Sequence, residues 1–519
     1  MKIISIHTQH DANLSVQIDG KIVFVLELER IFNQRYFSSS NDSEEFENEW
    51  EEALQTVYDL IGVVHFDYAI TNWVFPSQVS VLKSIIRANK WLKCSHHHAH
   101  AAIGYYTSTL KNPLILSADG GGDDGIFNFY SIQNKSIHLI ERNQLNLGTP
   151  YRLLATLMPE ITNNKPQSRM GHLSLSGKIM GYSALGNIID SWIEPLKEYY
   201  LYYQHPVQAL YSLGNLIGLE LEEGFCLEKQ DAINLAATSQ RVFELIVIEK
   251  INNKIKNKEY DGIILSGGIA LNVIANTKIK EMFNLPIHVS SAPNDSGIST
   301  GSIFALFPPK KPQNITYIGL PTINNLPSKI KDFGNTFCLY DIAKLLVEED
   351  AIIGVIRNSS EVGPRALGNR SIVCYPNTIQ KKEIINKKIK FREWFRPLAP
   401  IVQEEKTNIF FDKKIISPYM SFAYPIKKEI QGMFPAIEHL DKTARIQTVT
   451  EKQNKWIYDL LEEIDKLTNY PIILNTSFNT RGNPLINSSL EGIKMLKETD
   501  LTHVIINDNI YNKEQILSL

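Results

Sequence analysis

Three stretches of this chain share an arrangement that few folds accommodate: an apolar run the length of a buried strand, closed by a turn of glycine and small polar residues. They are "PLILSADGGGDDG", "DGIILSGGIALNVIANTKIKEMF" and "LPIHVSSAPNDSGISTGSIFALF", and the last two run on into helical periodicity. Strands that alternate with helices call for parallel neighbours in a sheet. The chain nevertheless opens on the alternating segments "KIISIH", "NLSVQI" and "KIVFVLEL", with Asp19-Gly20 as the turn between the last two. An α/β domain with a mixed sheet is expected.

With 519 residues there is room for more than one domain. Residues 307–335 are rich in Pro and Asn and lose periodicity, so the expected domains are 1–335 and 336–519. The formal charge of -3 gives no basic footprint, and neither nucleic acid nor membrane is an expected partner. Cys94, Cys226, Cys338 and Cys374 have no CxxC spacing, which argues against a disulfide framework and a cysteine zinc site. The polar N-terminal segment does not read as a signal peptide, and a cytoplasmic location is expected.

"CSHHHAHAA" at residues 94–102 places four of the chain's 13 histidines within five positions. On a helix His96 and His100 share a face and can hold one ion, while His97 and His98 point elsewhere. Two imidazoles are half a site. Asp119, ending "PLILSAD", and Asp295, in "PNDSG", are the best carboxylates to complete it. The same glycine turns suit an anion, because a strand-to-helix turn aims backbone N–H groups at it. A tight turn without a ligand is the plain alternative.

From residue 361 onward, arginines and lysines sit among apolar and turn residues: "EVGPRALGNRSI", "NKKIKFREWFRPLAP", "TARIQTV" and "NTSFNTRGNPL". Guanidinium groups there favour a small oxyanion. Structural ion pairs, with Glu361 serving Arg365 and Glu393 serving Arg396, are the alternative.

Taken in order, "QHDANLS", "HHHAHAA", "SADGGGDDG", "GKIMGYSALGN", "LSGGIALNVIAN", "APNDSGISTG" and the four basic stretches resemble the O-carbamoyltransferase family of the nodulation and cephamycin type, over nearly the whole chain. The resemblance implies an N-terminal actin/sugar-kinase/Hsp70-like (Kae1-like) domain followed by a YrdC-like α/β domain. It implies an enzyme that uses ATP with Mg2+ and carbamoyl phosphate to make carbamoyl-adenylate, then carbamoylates a hydroxyl of a small molecule. By resemblance, His96, His100, Asp119 and Asp295 hold a divalent metal, with Fe2+ expected ahead of Mn2+, Zn2+ or Mg2+. His10, Asp11, Gly120, Gly121, Gly267, Gly268, Asn272 and Asp295 face ATP or carbamoyl-adenylate. Lys390, Arg365, Arg396, Arg445, Asn475, Ser477 and Arg481 bind carbamoyl phosphate, with Arg445 and Arg481 acting in catalysis. His10 is expected to serve as a base, unless it only positions ligand.

One departure is "ELERIFNQRYF", where the family more often has two glutamates before the arginine, and the roles of Glu29 and Arg30 stay open. Rival readings are tRNA threonylcarbamoylation, thiol carbamoylation in hydrogenase maturation, and a nucleotide-binding regulator without turnover. A homo-oligomer is equally open.

Overall fold

The computed structural model describes all residues except 164–170, 204, 223–225, 257 and 519. It divides into two units, Met1–Thr316 with Val362–Pro364, and Tyr317–Glu361 with Arg365–Leu519.

In the first unit, β1 (Lys2–His7), β2 (Asn13–Ile18) and β3 (Lys21–Glu27) form the antiparallel start that the alternation predicts. Asp19 and Gly20 both have positive φ, 48° and 84°, the backbone that a two-residue hairpin turn demands. β4 (Phe66–Asn72) joins β1 in parallel and β5 (Ala88–Cys94) joins β4, giving the order β3-β2-β1-β4-β5.

A second sheet repeats this plan. β6 (Leu114–Ala118), β7 (Phe127–Gln133) and β8 (Ser136–Glu141) are antiparallel, then β9 (Ile263–Ser266) and β10 (Ile287–His288) add in parallel on the other side of β6. Its order, β10-β9-β6-β7-β8, is the first sheet's order read backwards. The expected actin/sugar-kinase plan is therefore met by two equivalent sheets. No repeat is legible in the sequence, because the two halves keep strand order while their side chains and insertions differ.

Two helices frame the candidate ligands: one carries His96 and His100, and the other follows the turn that holds Asp295. His96–Tyr106 follows β5, and Ile298–Leu306 follows the "APNDSG" turn. Ala99, Ala101, Ala102 and Gly104 are buried, so the first helix is covered on several faces rather than along one stripe. Small residues let the two helices approach closely: a Cβ on Gly301 would stand 2.1 Å from the Ala99 carbonyl oxygen.

The second unit is built on a nine-stranded mixed sheet, in the order β11-β19-β18-β12-β13-β17-β14-β16-β15. These strands are β11 (Asn335–Thr336), β12 (Ile353–Ile356), β13 (Arg370–Cys374), β14 (Ala399–Gln403), β15 (Phe422–Pro425), β16 (Thr443–Val449), β17 (Ile472–Ser477), β18 (His503–Ile506) and β19 (Asn509–Asn512). The four basic stretches lie on or beside β13, β17, β14 and β16, which are consecutive in the sheet. Segments far apart in sequence thus become neighbours.

The division falls at 316/317 rather than at 335/336. Gln313 bonds Gly20, Ile22 and Tyr106 of the first unit, whereas the backbone amides of Gly319, Thr322 and Ile323 already donate to Ser360, Asn358 and Asn487 of the second. Backbone pairing, not composition, decides where residues 317–335 belong. Among the described residues no helix is long and apolar enough to cross a membrane.

Candidate functional site

The structure brings His96, His100, Asp119 and Asp295 together, with one ligand atom of each within 4.8 Å of the others. His100 Nε2 lies 3.2 Å from His96 Nε2, 3.2 Å from Asp119 Oδ2 and 3.2 Å from Asp295 Oδ1, and His96 Nε2 is 3.6 Å from Asp295 Oδ1. The helical spacing aligns the imidazoles. Asp119 comes from the end of β6, and Asp295 from the turn that starts the helix crossing over Ala99. His97 turns away to Ser117 Oγ at 2.8 Å, and His98 stacks beside Tyr130.

Electrostatics suit a cation. Burial drives His96 down to about 3, so its ring is neutral. Burial also opposes charge on His100, but the facing carboxylates of Asp119 and Asp295, each 3.2 Å away, outweigh it and raise the group to about 9. Desolvation likewise works against the Asp295 carboxylate, yet the surrounding histidines hold it well below the usual range. Asp295 Oδ1 is buried without a hydrogen bond, facing two imidazole nitrogens. Two imidazoles and two carboxylates converging on one point fit a borderline divalent ion, which would satisfy that oxygen.

The glycine turns meet at Asp119. Its Oδ1 accepts from Gly120 N–H at 2.6 Å and its Oδ2 from Gly268 N–H at 2.7 Å. Gly267, at φ 85°, allows this approach, since a Cβ there would lie 2.1 Å from the Ala118 carbonyl. These two amides therefore orient the carboxylate instead of standing open to a phosphate. Gly268 begins one 3₁₀ turn, and the helix itself starts at Val273. Asn272 caps it by accepting from Ala275 N–H, and pairs its amide with Gln240, so its side chain is committed to structure.

Asp123 and Asp124 in "GGGDDG" carry no sequence-based expectation, and they also act on the ligand helix. Each accepts, at 2.9 Å, from the backbone N–H of His96 or His97, at the helix's positive end. Trp73, at φ 47° and 39% exposed, sets its indole edge-on to His96 with centroids 5.5 Å apart. Asn13 ties the centre together, donating to the Asp11 and Asp295 carbonyls while its Oδ1 accepts from Ser299 N–H.

His10 stands between two carboxylates, with Nδ1 3.0 Å from Asp11 Oδ2 and Nε2 3.5 Å from Asp295 Oδ2. Burial disfavours its charge, but Asp295 and Asp11 prevail and push it up to about 10. An imidazole so placed favours its protonated, donating form, and the base role expected from sequence would require that proton to leave. Arg30 is buried against Glu27 at 3.1 Å, and Glu29 accepts from Tyr36 N–H, so both residues left open by the sequence have structural partners here.

In the second unit Arg445 is the outstanding group. Desolvation, then repulsion from Arg365, Arg392 and Arg396, lowers it well below an arginine's ordinary value, and its Nε is buried with no hydrogen-bond partner. Lys390 Nζ donates to Ser477 Oγ at 3.0 Å and Asn479 Oδ1 at 2.6 Å, drawing together two predicted site residues. Asn475 is buried, donating to Ala366 O and Gln447 Oε1. Arg481 lies 3.3 Å from Glu393, which is also 4.0 Å from Arg396, as one of the expected pairings had it. Glu361 does not serve Arg365 in that way: its Oε1 accepts from the amides of Leu367, Asn369 and Arg370. Arg370 is likewise structural, donating to the carbonyls of Arg357, Asn358 and Asn369.

Comparison with known proteins adds to this geometry. The carbamoyltransferase N-terminus model matches residues 44–304, and the carbamoyltransferase C-terminus model matches 343–513. An uncharacterized protein of Methanocaldococcus jannaschii is 28% identical over 98% of this chain and 99% of its own. Nodulation protein U of Rhizobium tropici is 24% identical over 100% of this chain and 97% of its own. Nodulation protein NolNO of Sinorhizobium fredii is 28% identical over 81% of this chain and 63% of its own. Among solved structures, full-length HypF in a phosphate- and nucleotide-bound form aligns with 59% of this chain and 46% of its own, at 15% identity and a TM-score of 0.36.

Proposed function

Because this chain belongs to the carbamoyltransferase family, we propose that it is an ATP-dependent O-carbamoyltransferase acting on a hydroxyl of a small molecule. Carbamoyl phosphate loses phosphate to water and leaves carbamate. A carbamate oxygen attacks the α-phosphorus of ATP, forming carbamoyl-adenylate and expelling pyrophosphate. The acceptor hydroxyl then attacks the carbamoyl carbon, gives up its proton and displaces AMP.

The observation that carries this reading is Arg445, desolvated among three other guanidinium groups with an unsatisfied buried Nε. An unsatisfied buried Nε with guanidinium groups gathered around it favours a compact polyanion, and a phosphoryl dianion bound bidentately answers that need. Arg365 and Arg396 would share its charge. Lys390 and Ser477 hold the edge of the site, with Asn475 setting the strand beneath, and Arg481 reaches in from its pairing with Glu393.

In the first unit His96, His100, Asp119 and Asp295 would hold the divalent ion, which when bound supplies Lewis-acid stabilisation of phosphate charge. Their chemistry accommodates Fe2+, Mn2+ or Zn2+, with Mg2+ accompanying ATP. His10, kept protonated between Asp11 and Asp295, orients and neutralises an anionic ligand by donating to it. Gly121 and Gly267 would face the nucleotide through their backbone, while Gly120, Gly268 and Asn272 shape the turns beside it.

The test is pyrophosphate release by the purified protein. ATP and carbamoyl phosphate together should release it and form AMP, water replacing the acceptor at a low rate, and either substrate alone should not. No release with metal, both substrates and a panel of hydroxyl compounds would refute the proposal.

A further inference from the structure

His7 has no place in the proposed chemistry, yet its burial demands a reason. It is the last residue of β1, fully buried, and neither ring nitrogen makes a hydrogen bond. Its Nε2 points at Asp295 Oδ2 from 3.6 Å, and its ring centroid is 6.3 Å from that of His96.

The two oxygens of Asp295 face different surroundings. Oδ1 looks toward His96 and His100, while Oδ2 looks toward His7 and His10. His10 approaches from a loop, is 37% exposed and already bonds Asp11. His7 approaches from a strand and, among the described residues, faces no other acidic side chain at ion-pair distance. Were His7 only filling space, an apolar ring would do better, because each buried unsatisfied polar atom costs about 1–3 kcal/mol.

We infer that His7 is a positioning residue for the metal centre: its Nε2 steers Asp295 Oδ2 so that Oδ1 is presented to the ion beside His96 and His100. Outer partners of ligating carboxylates act in this way in metal sites generally. This inference rests on the reading of His96, His100, Asp119 and Asp295 as ligands.

The experiment titrates the metal-free full chain with Co2+, whose visible absorption reports ligand number and geometry. His7→Phe keeps the ring and removes the donors. His7→Gln places an amide nitrogen near the position of Nε2, and His7→Asn places one near Nδ1. His7→Phe and His7→Asn should weaken Co2+ binding by about tenfold to a hundredfold and shift the spectrum, whereas His7→Gln should stay within about threefold of the parent. Metal-free His7→Phe should melt no lower than the parent, which separates positioning from loss of packing. Should Phe prevent folding, the Asn and Gln pair carries the comparison alone. Parental affinity and spectrum in Phe and Asn, or Gln as weak as Asn, would overturn the inference. Absence of Co2+ binding by the parent, or unchanged binding in Asp295→Ala, would overturn the ligand reading itself and His7's role with it.

Discussion

Replacing Asp123 and Asp124 tests whether the "GGGDDG" turn shapes the centre by capping rather than by binding phosphate. Each carboxylate accepts one backbone N–H from the first turn of the helix that carries both candidate imidazoles, and His96 sits in that turn. A lost N-terminal cap costs about 1 kcal/mol, so the Asp123→Ala/Asp124→Ala pair should destabilise the turn by about 2 kcal/mol. The exposed Lys93 beside Asp123 adds little, since surface pairs are screened. If that penalty is met only when the turn is ordered around an ion, affinity falls by about thirtyfold, at 1.4 kcal/mol per factor of ten. The Asn/Asn pair keeps the oxygen acceptors and loses only the charge, so its affinity should fall less than that of the Ala pair, by about threefold at the lower end of the 0.3–1 kcal/mol that each charge–dipole interaction is worth. Calorimetric titration with Mn2+ or Co2+ reads both, with far-UV circular dichroism confirming intact helices. Parental metal affinity in the doubly Ala-substituted protein would refute the reasoning.

The remaining expectations concern the same two units. His96→Ala and His100→Ala should each abolish stoichiometric metal binding, whereas His97→Ala, whose ring is bonded to Ser117, should retain most of it; equal loss in all three by metal analysis would contradict the helical-face geometry. Arg445→Met removes a desolvated like charge, so the ligand-free protein should melt higher while losing the stabilisation that carbamoyl phosphate gives the parent, both read by thermal shift. His288, bonded to Thr107, is lowered to about 4 by burial, against about 6.5 when unfolded. The unfolded chain therefore binds the extra proton between those values, and stability present above pH about 6.5 is lost as pH falls toward 4, by at most about 3 kcal/mol. His288→Gln should flatten that stretch of a denaturation-versus-pH profile, and an unchanged slope would exclude His288 as its source.

Local geometry is what the order of residues carries. The i, i+4 histidine spacing became a shared face because 3.6 residues complete a helical turn, and Asp19-Gly20 became a hairpin turn because those residues tolerate positive φ. Family motifs carried Asp119, Asp295 and the basic stretches to their places as well, but said little of what each group does there. Asn272 looked like a nucleotide contact and is a helix cap. His10, expected as a base, has Asp295, distant in sequence, facing its second nitrogen.

It took the folded chain to reveal that two sheets share one plan, that residues 317–335 side with the second unit, and that Asp123, Asp124 and His7 surround the ligand cluster. The difference is one of range. Spacing rules act through backbone geometry over one or two turns, whereas these meetings depend on strand order and on helices brought close by alanine and glycine, as at Ala99 and Gly301. A lone histidine ending an apolar strand carries no sign of its partner until the fold supplies one.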